Sequence, residues 1–166
     1  MGFFKKLLGL TSKKKSKKEK EDELFFKEKK YEKTLDKHFE LNSKIKENYK
    51  KRDNEKHYKK AINACKKQIE IAEEVMKAFK KKYIDDLKKS YILHKDEYTL
   101  EKYIEKEKKD HPFDPVSHRG YKQLSIIKHK NGEYEEVIKL CKKAKSQGWR
   151  GDWDKRIKRA EKKLNS

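Results

Sequence analysis

Apolar residues recur every three or four positions along most of this chain. The clearest run is Tyr58, Ala61, Ile62, Cys65, Ile69, Ala72, Met76 and Phe79, which holds one face of a helix for six turns. It predicts a helix from about Glu55 to Tyr83. Upstream, Phe25, Leu35, Phe39 and Ile45 mark an approximate stripe from about Leu24 to Lys50. Arg52, Asp53 and Asn54 make a polar turn between the two, because Asp and Asn favour turns and helix caps. A third stripe, Tyr83, Ile84, Leu87 and Tyr91, leads to a break at His94-Lys95-Asp96, and Tyr98, Leu100, Tyr103 and Ile104 predict a fourth, short helix.

His111-Pro112-Phe113-Asp114-Pro115 is a boundary, since the residue before a proline is pushed out of the helical region. Asp114-Pro115 suits an N-cap and first helical position. The helix that follows reaches Lys130 and stops at Asn131-Gly132; its partner runs from about Glu133 to Ser146 and stops at Gln147-Gly148. Asp152 is placed to cap a last helix whose apolar positions are Trp153, Ile157, Ala160 and Leu164. Its polar side carries Lys155, Arg156, Lys158, Arg159, Lys162 and Lys163, the two-faced look of a helix that closes a stack. Strand signals are missing, with no sustained alternation of period two. The expected fold class is all-α.

Composition changes the picture in two ways. The 166 residues are only 33% hydrophobic and 47% charged, with a formal charge of +20, which leans toward the disordered class. Against that, neither glycine nor proline occurs between Leu10 and His111, and a hundred residues of helix formers without a breaker favour long helices around a thin core. The excess charge sits at the ends: residues 1–20 carry eight lysines and one glutamate, a net +7, and residues 111–166 carry 15 basic and 7 acidic groups, a net +8. Of the 49 basic residues 44 are lysine; recognition of phosphates and bases favours the planar fork of arginine, so most of this charge reads as solvated helix surface. Two cysteines are too few for a disulfide framework and fit a reducing, cytoplasmic setting.

The stretch YKKAINACKKQ at 58–68 returns as YEEVIKLCKKA at 134–144. Tyr58 answers Tyr134, Ala61 answers Val137, Ile62 answers Ile138 and Cys65 answers Cys141. Residues 118–149 resemble a tetratricopeptide repeat on Tyr121, Leu124, Ser125, Gly132, Tyr134 and Ala144, where large residues of one helix fill gaps beside small ones of its partner. They depart from the pattern at Lys128, Val137, Cys141 and Trp149. A weaker copy, 42–75, keeps Tyr58, Ala61 and Cys65 but has Gln68 where alanine is expected and no glycine at its turn. The resemblance implies a tetratricopeptide-like stack of about three helical hairpins over 24–166, with a C-terminal capping helix and a flexible basic N-terminal segment, 1–23. Cys65 and Cys141 then read as core residues; zinc would need paired ligands, and His57, His118 and His129 show no closing spacing.

Solenoids of this kind carry no built-in chemistry and offer a concave surface to another chain. By the match, the groove-facing residues of the last repeat are Arg119, Lys122, Ile126, His129 and Lys130, with Ser43, Lys46 and Lys50 in the weaker copy. That lining favours an acidic peptide or a C-terminal carboxylate. At the N-terminus Phe3, Phe4, Leu7 and Leu8 share a helical side next to KKKSKKEK, the pairing of apolar and polybasic signals that draws a protein to an anionic membrane at its inner, cytoplasmic face. Lys6 stands where a myristoylation motif wants Ser or Thr. No phosphate loop, HExxH motif or nucleophile elbow is present, so no catalytic residue and no cofactor is nominated. The expectation is a non-catalytic adaptor for a protein or peptide partner; the alternative is a nucleic-acid-associated basic helical protein.

Overall fold

The computed structural model describes residues 30–94 and 99–166; the N-terminal segment 1–23, with Phe3, Phe4, Leu7 and Leu8, lies outside the described residues, as does Phe25. Within them the chain is all-α. Seven helices follow one another: α1 (Lys30–Lys50), α2 (Glu55–Glu70), α3 (Ala72–His94), α4 (Leu100–Asp110), α5 (Arg119–Lys130), α6 (Tyr134–Ser146) and α7 (Trp153–Leu164). Side chains start three of them: Asn54 accepts from the Lys56 and His57 amides before α2, Thr99 from the Lys102 amide before α4, and His118 from the Tyr121 amide before α5. Gly132 turns α5 into α6 with φ 77°, a conformation that costs a residue with a Cβ about 1 kcal/mol or more.

α1 lies along both α2 and α3. Its C-terminal half gives Leu41 and Ile45 to a cluster with Ala64, Cys65 and Leu124, and its N-terminal half gives Tyr31 and Leu35 to a cluster with Ala72, Val75, Met76 and Ala78. The second cluster continues through Tyr121, Val137, Cys141 and Ala144 to Trp149, Trp153 and Ala160, so it links α1 and α3 to α5, α6 and α7. α2 packs on α5, α1 also touches α5, α6 packs on α5 and α7, and α4 packs on α3.

The structure corrects the sequence reading at four points. The helix expected over 55–83 is two, because the hydrogen-bond ladder is interrupted at Ile71 (φ −93°, ψ 3°) and resumes with the Val75 amide donating to the Ile71 carbonyl at 3.0 Å. The stripe at 83–91 is the far half of α3, not a separate helix. On α1 the inward residue is His38, fully buried, while its neighbour Phe39 is 51% exposed; spacings of four, three, three and four run Tyr31, Leu35, His38, Leu41, Ile45. Last, α5 starts at Arg119 and not after Asp114. The segment before it stays extended against residue 150, whose amide donates to the Val116 carbonyl at 3.2 Å, while Asp114 pairs with Arg150 at 2.7 Å instead of capping.

The repeated stripe packs as one equivalent set. Ala61 and Val137, Cys65 and Cys141, and Gln68 and Ala144 are all buried. Burial pushes the Cys65 thiol up to about 12 and the Cys141 thiol up to about 11, so the reactive thiolate is scarce at neutral pH. Both are expected to react with a thiol reagent more than about 100-fold slower in buffer than in denaturant, the factor an opening free energy of about 3 kcal/mol imposes. Fast labelling of either in buffer would take it out of the core.

Candidate functional site

α5 is held at its N-terminus by a buried polar network. Gly120 lets α5 approach α2 closely: a Cβ there would sit 3.0 Å from the Cys65 carbonyl oxygen and 2.9 Å from Gln68 Oε1. In that space the Gly120 amide donates to Gln68 Oε1 at 2.7 Å, and Gln68 Nε2 donates onward to the His38 carbonyl at 3.0 Å and to Asn42 Oδ1 at 3.3 Å. One side chain of α2 therefore ties α5 to α1. Beside it the His38 and His118 rings lie 5.3 Å apart, and Trp149 stacks on His38 with its plane 5° away and its centroid at 6.0 Å. Burial holds His38 down to about 4. His118 falls to about 3 by burial and, secondarily, by the neighbouring His38, against weaker backbone contacts at Gln68 and at its own residue that favour its protonated form. Both rings are neutral at pH 7.

Thus anchored, α5 turns its other face outward between α1 and α7. Three recesses follow one another along that face. The first, about 200 Å³, is lined by Ile126, His129 and Lys130 of α5, Val137 of α6, and Arg156 and Arg159 of α7. The second, about 150 Å³, shares Ile126 and lies between α5 and Asn42 of α1, with Arg119, Lys122 and Gln123 on its wall. The third, about 320 Å³, shares Ser117, His118 and Lys122 with the second and reaches Arg150, Asp152 and Trp153.

All five residues expected on the α5 groove face thus line one or other of the first two recesses: Arg119, Lys122 and Ile126 the second, Ile126, His129 and Lys130 the first. The weaker copy contributes differently. Ser43, Lys46 and Lys50 are exposed but line none of the three, and Asn42 is the α1 residue that does. Among the described residues Arg119, Lys122, Lys130 and Arg159 form no ion pair. Arg156 does, donating to Asp152 Oδ1 at 2.7 Å and reaching Ser125 Oγ at 3.4 Å. Burial pushes the Asp152 carboxyl up, but the hydrogen bond and charge of Arg156, with Lys122 nearby, leave it below its ordinary value. Asp152 precedes α7 as expected, yet its carboxylate makes no capping hydrogen bond.

Sequence reasoning missed Asn42, Gln123, Arg156 and Arg159 as lining residues. Helical phase alone puts the two arginines on the wet side of the last helix; the docking of α7 on α6 brings them to the first recess, Arg156 half-buried and Arg159 still exposed. Gln68 was visible solely as a departure from the repeat pattern. Among the described residues no group of three or more His, Cys, Asp or Glu side chains is arranged to hold a metal ion. No family model, no curated protein and no solved structure matches the chain.

Proposed function

We propose that this chain is a non-catalytic adaptor that holds an acidic peptide along the outward face of α5, between α1 and α7. The observation that carries the reading is the run of three recesses sharing residues along that face, with Arg119, Lys122, Lys130 and Arg159 free of ion pairs among the described residues. Cations on low-dielectric walls concentrate acidic partners and fix their register. Ile126 adds an apolar contact at the junction of two recesses. A tetratricopeptide-like stack is supported by the neighbour order, in which α1 meets α2 and α5, α2 meets α5, α5 meets α6, and α6 meets α7. α3 packs along α1 and carries α4 on it, which makes the array irregular.

Charge reversal at two groove positions, Lys122→Glu with Lys130→Glu, is expected to weaken binding of a fluorescent Glu-rich peptide by about 10-fold or more. Helix content by circular dichroism should not change, because both side chains are exposed. Undiminished binding would reject this face. The exposed row Lys155, Lys158, Lys162 and Lys163 on α7 favours a second reading, contact with a nucleic-acid backbone. That reading predicts duplex binding that weakens steeply with salt and survives the two α5 reversals.

A further inference from the structure

We infer that the recess between α1 and α5 is a site for a phosphoryl group, carried by the acidic peptide; this rests on the groove reading above and assigns one chemical group to one part of it. Hydrogen-bond polarity sets the chemistry of this recess. Gln68 is fixed by accepting from the Gly120 amide, so its Nε2 donates to Asn42 Oδ1. That occupies the acceptor end of Asn42 and leaves its Nδ2 as the free end. His118 is fixed in the same way: Nδ1 accepts from the Tyr121 amide at 3.2 Å, so the hydrogen of the neutral ring is on Nε2. Gln123 Nε2 is buried without a hydrogen-bond partner among the described residues, and His118 Nε2 is buried beside the Gln68 backbone, short of a full hydrogen bond. His118 itself is fully buried.

The two side chains at the recess that hydrogen bonds orient, Asn42 and His118, are thus both donors. Arg119 and Lys122 add two positive charges without ion pairs, Ser117 adds a hydroxyl, and no carboxylate is on the wall. Asp152 belongs to the adjoining recess and is paired with Arg156. A buried donor without an acceptor is destabilising, a loss that an incoming oxyanion would recover. A phosphoryl group brings three strong acceptor oxygens and about −1.5 to −2 charges at pH 7, matching two cations; a carboxylate brings two oxygens and one charge. The volume, about 150 Å³, is roughly five waters' share of liquid, room for that group and its remaining hydration. The N-terminal end of α5 has the favourable dipole, but the Gly120 and Tyr121 amides are already engaged, so recognition falls to side chains.

The test uses the full chain, isotopically labelled, with three probes: inorganic phosphate, a phosphoserine peptide, and the same peptide with glutamate in place of phosphoserine. The expected result is at least 10-fold tighter binding of the phosphoserine peptide than of the glutamate peptide. Inorganic phosphate should shift the side-chain amide signals of Asn42 and Gln123 and compete with the phosphoserine peptide. Arg119→Met and Gln123→Met should each remove most of the preference while the melting temperature is kept. Equal affinity for the two peptides, lost together on charge reversal at Lys122 and Lys130, would overturn the phosphoryl site and leave the groove standing. Binding of phosphate with no gain for the phosphoserine peptide would overturn the assignment to a peptide. No binding of either peptide would overturn the groove and this site together.

Discussion

Replacing Gln68 with alanine is expected to destabilise the fold by about 2–4 kcal/mol. The repeat pattern prefers alanine at this position, so a consensus argument predicts the opposite sign. Three hydrogen bonds leave with the side chain: the one accepted from the Gly120 amide and the two donated to the His38 carbonyl and Asn42 Oδ1. The site is fully buried, so the Gly120 amide cannot turn to water, and an orphaned buried donor costs about 1–3 kcal/mol by itself. The lost volume adds a cavity where α1, α2 and α5 meet. In urea unfolding the midpoint should fall with little change in slope, and the melting temperature should drop by about 5–15 °C. Gln68→Met separates the two halves of the effect, because it keeps most of the volume but makes none of the three hydrogen bonds. An alanine variant as stable as the parent would mean that α5 is held by apolar packing alone.

That variant marks the boundary of what the sequence discloses. Stripes and turn signals leave some trace of all seven helices, because each must bury a face to be stable. The equivalence of Cys65 and Cys141 was legible for the same reason. The break at Ile71 has no local marker: no glycine, proline or capping residue stands there, and the apolar stripe runs through it uninterrupted. His38 gives no stripe signal on α1 because its aromatic neighbour, Phe39, is the better hydrophobe; His38 faces inward because Trp149, Phe79 and His118 surround it with rings. The same limit applies to the groove. Its α5 face is what the repeat resemblance implies, and it lies opposite the buried Tyr121, Leu124 and Ile127. Its α1 and α7 walls depend on how distant helices dock, which no spacing along the chain encodes. The donor set of the second recess depends further on Gln68 fixing the Asn42 amide and on the Tyr121 amide fixing the His118 ring.

The buried histidines make stability fall on mild acidification. An unfolded histidine titrates near 6.5, whereas burial holds His38 to about 4 and His118 to about 3. Between those limits the unfolded chain binds more protons than the folded one, so stability rises with pH there. The contribution is complete above about pH 6.5 and is lost as the pH falls toward 4. With two groups each changing by up to about 1.4 kcal/mol per pH unit, the loss between pH 7 and pH 5 is about 2–4 kcal/mol. The structural cost falls on α5. Protonating His118 at Nδ1 removes the acceptor of the Tyr121 amide, and charging it places a cation 5.3 Å from the His38 ring in a site closed to water. Asp152, held below its ordinary value, loses its stabilising charge only at lower pH, as the solution approaches the carboxylate range, so the two effects separate on the pH axis. The pair His38→Gln with His118→Asn keeps a side-chain oxygen for the cap but removes both titrations. Urea midpoints measured from pH 7 to pH 5 should fall for the parent chain and stay nearly level for that variant. A parallel fall in both would assign the acid sensitivity to other groups and leave the two rings as ordinary packing.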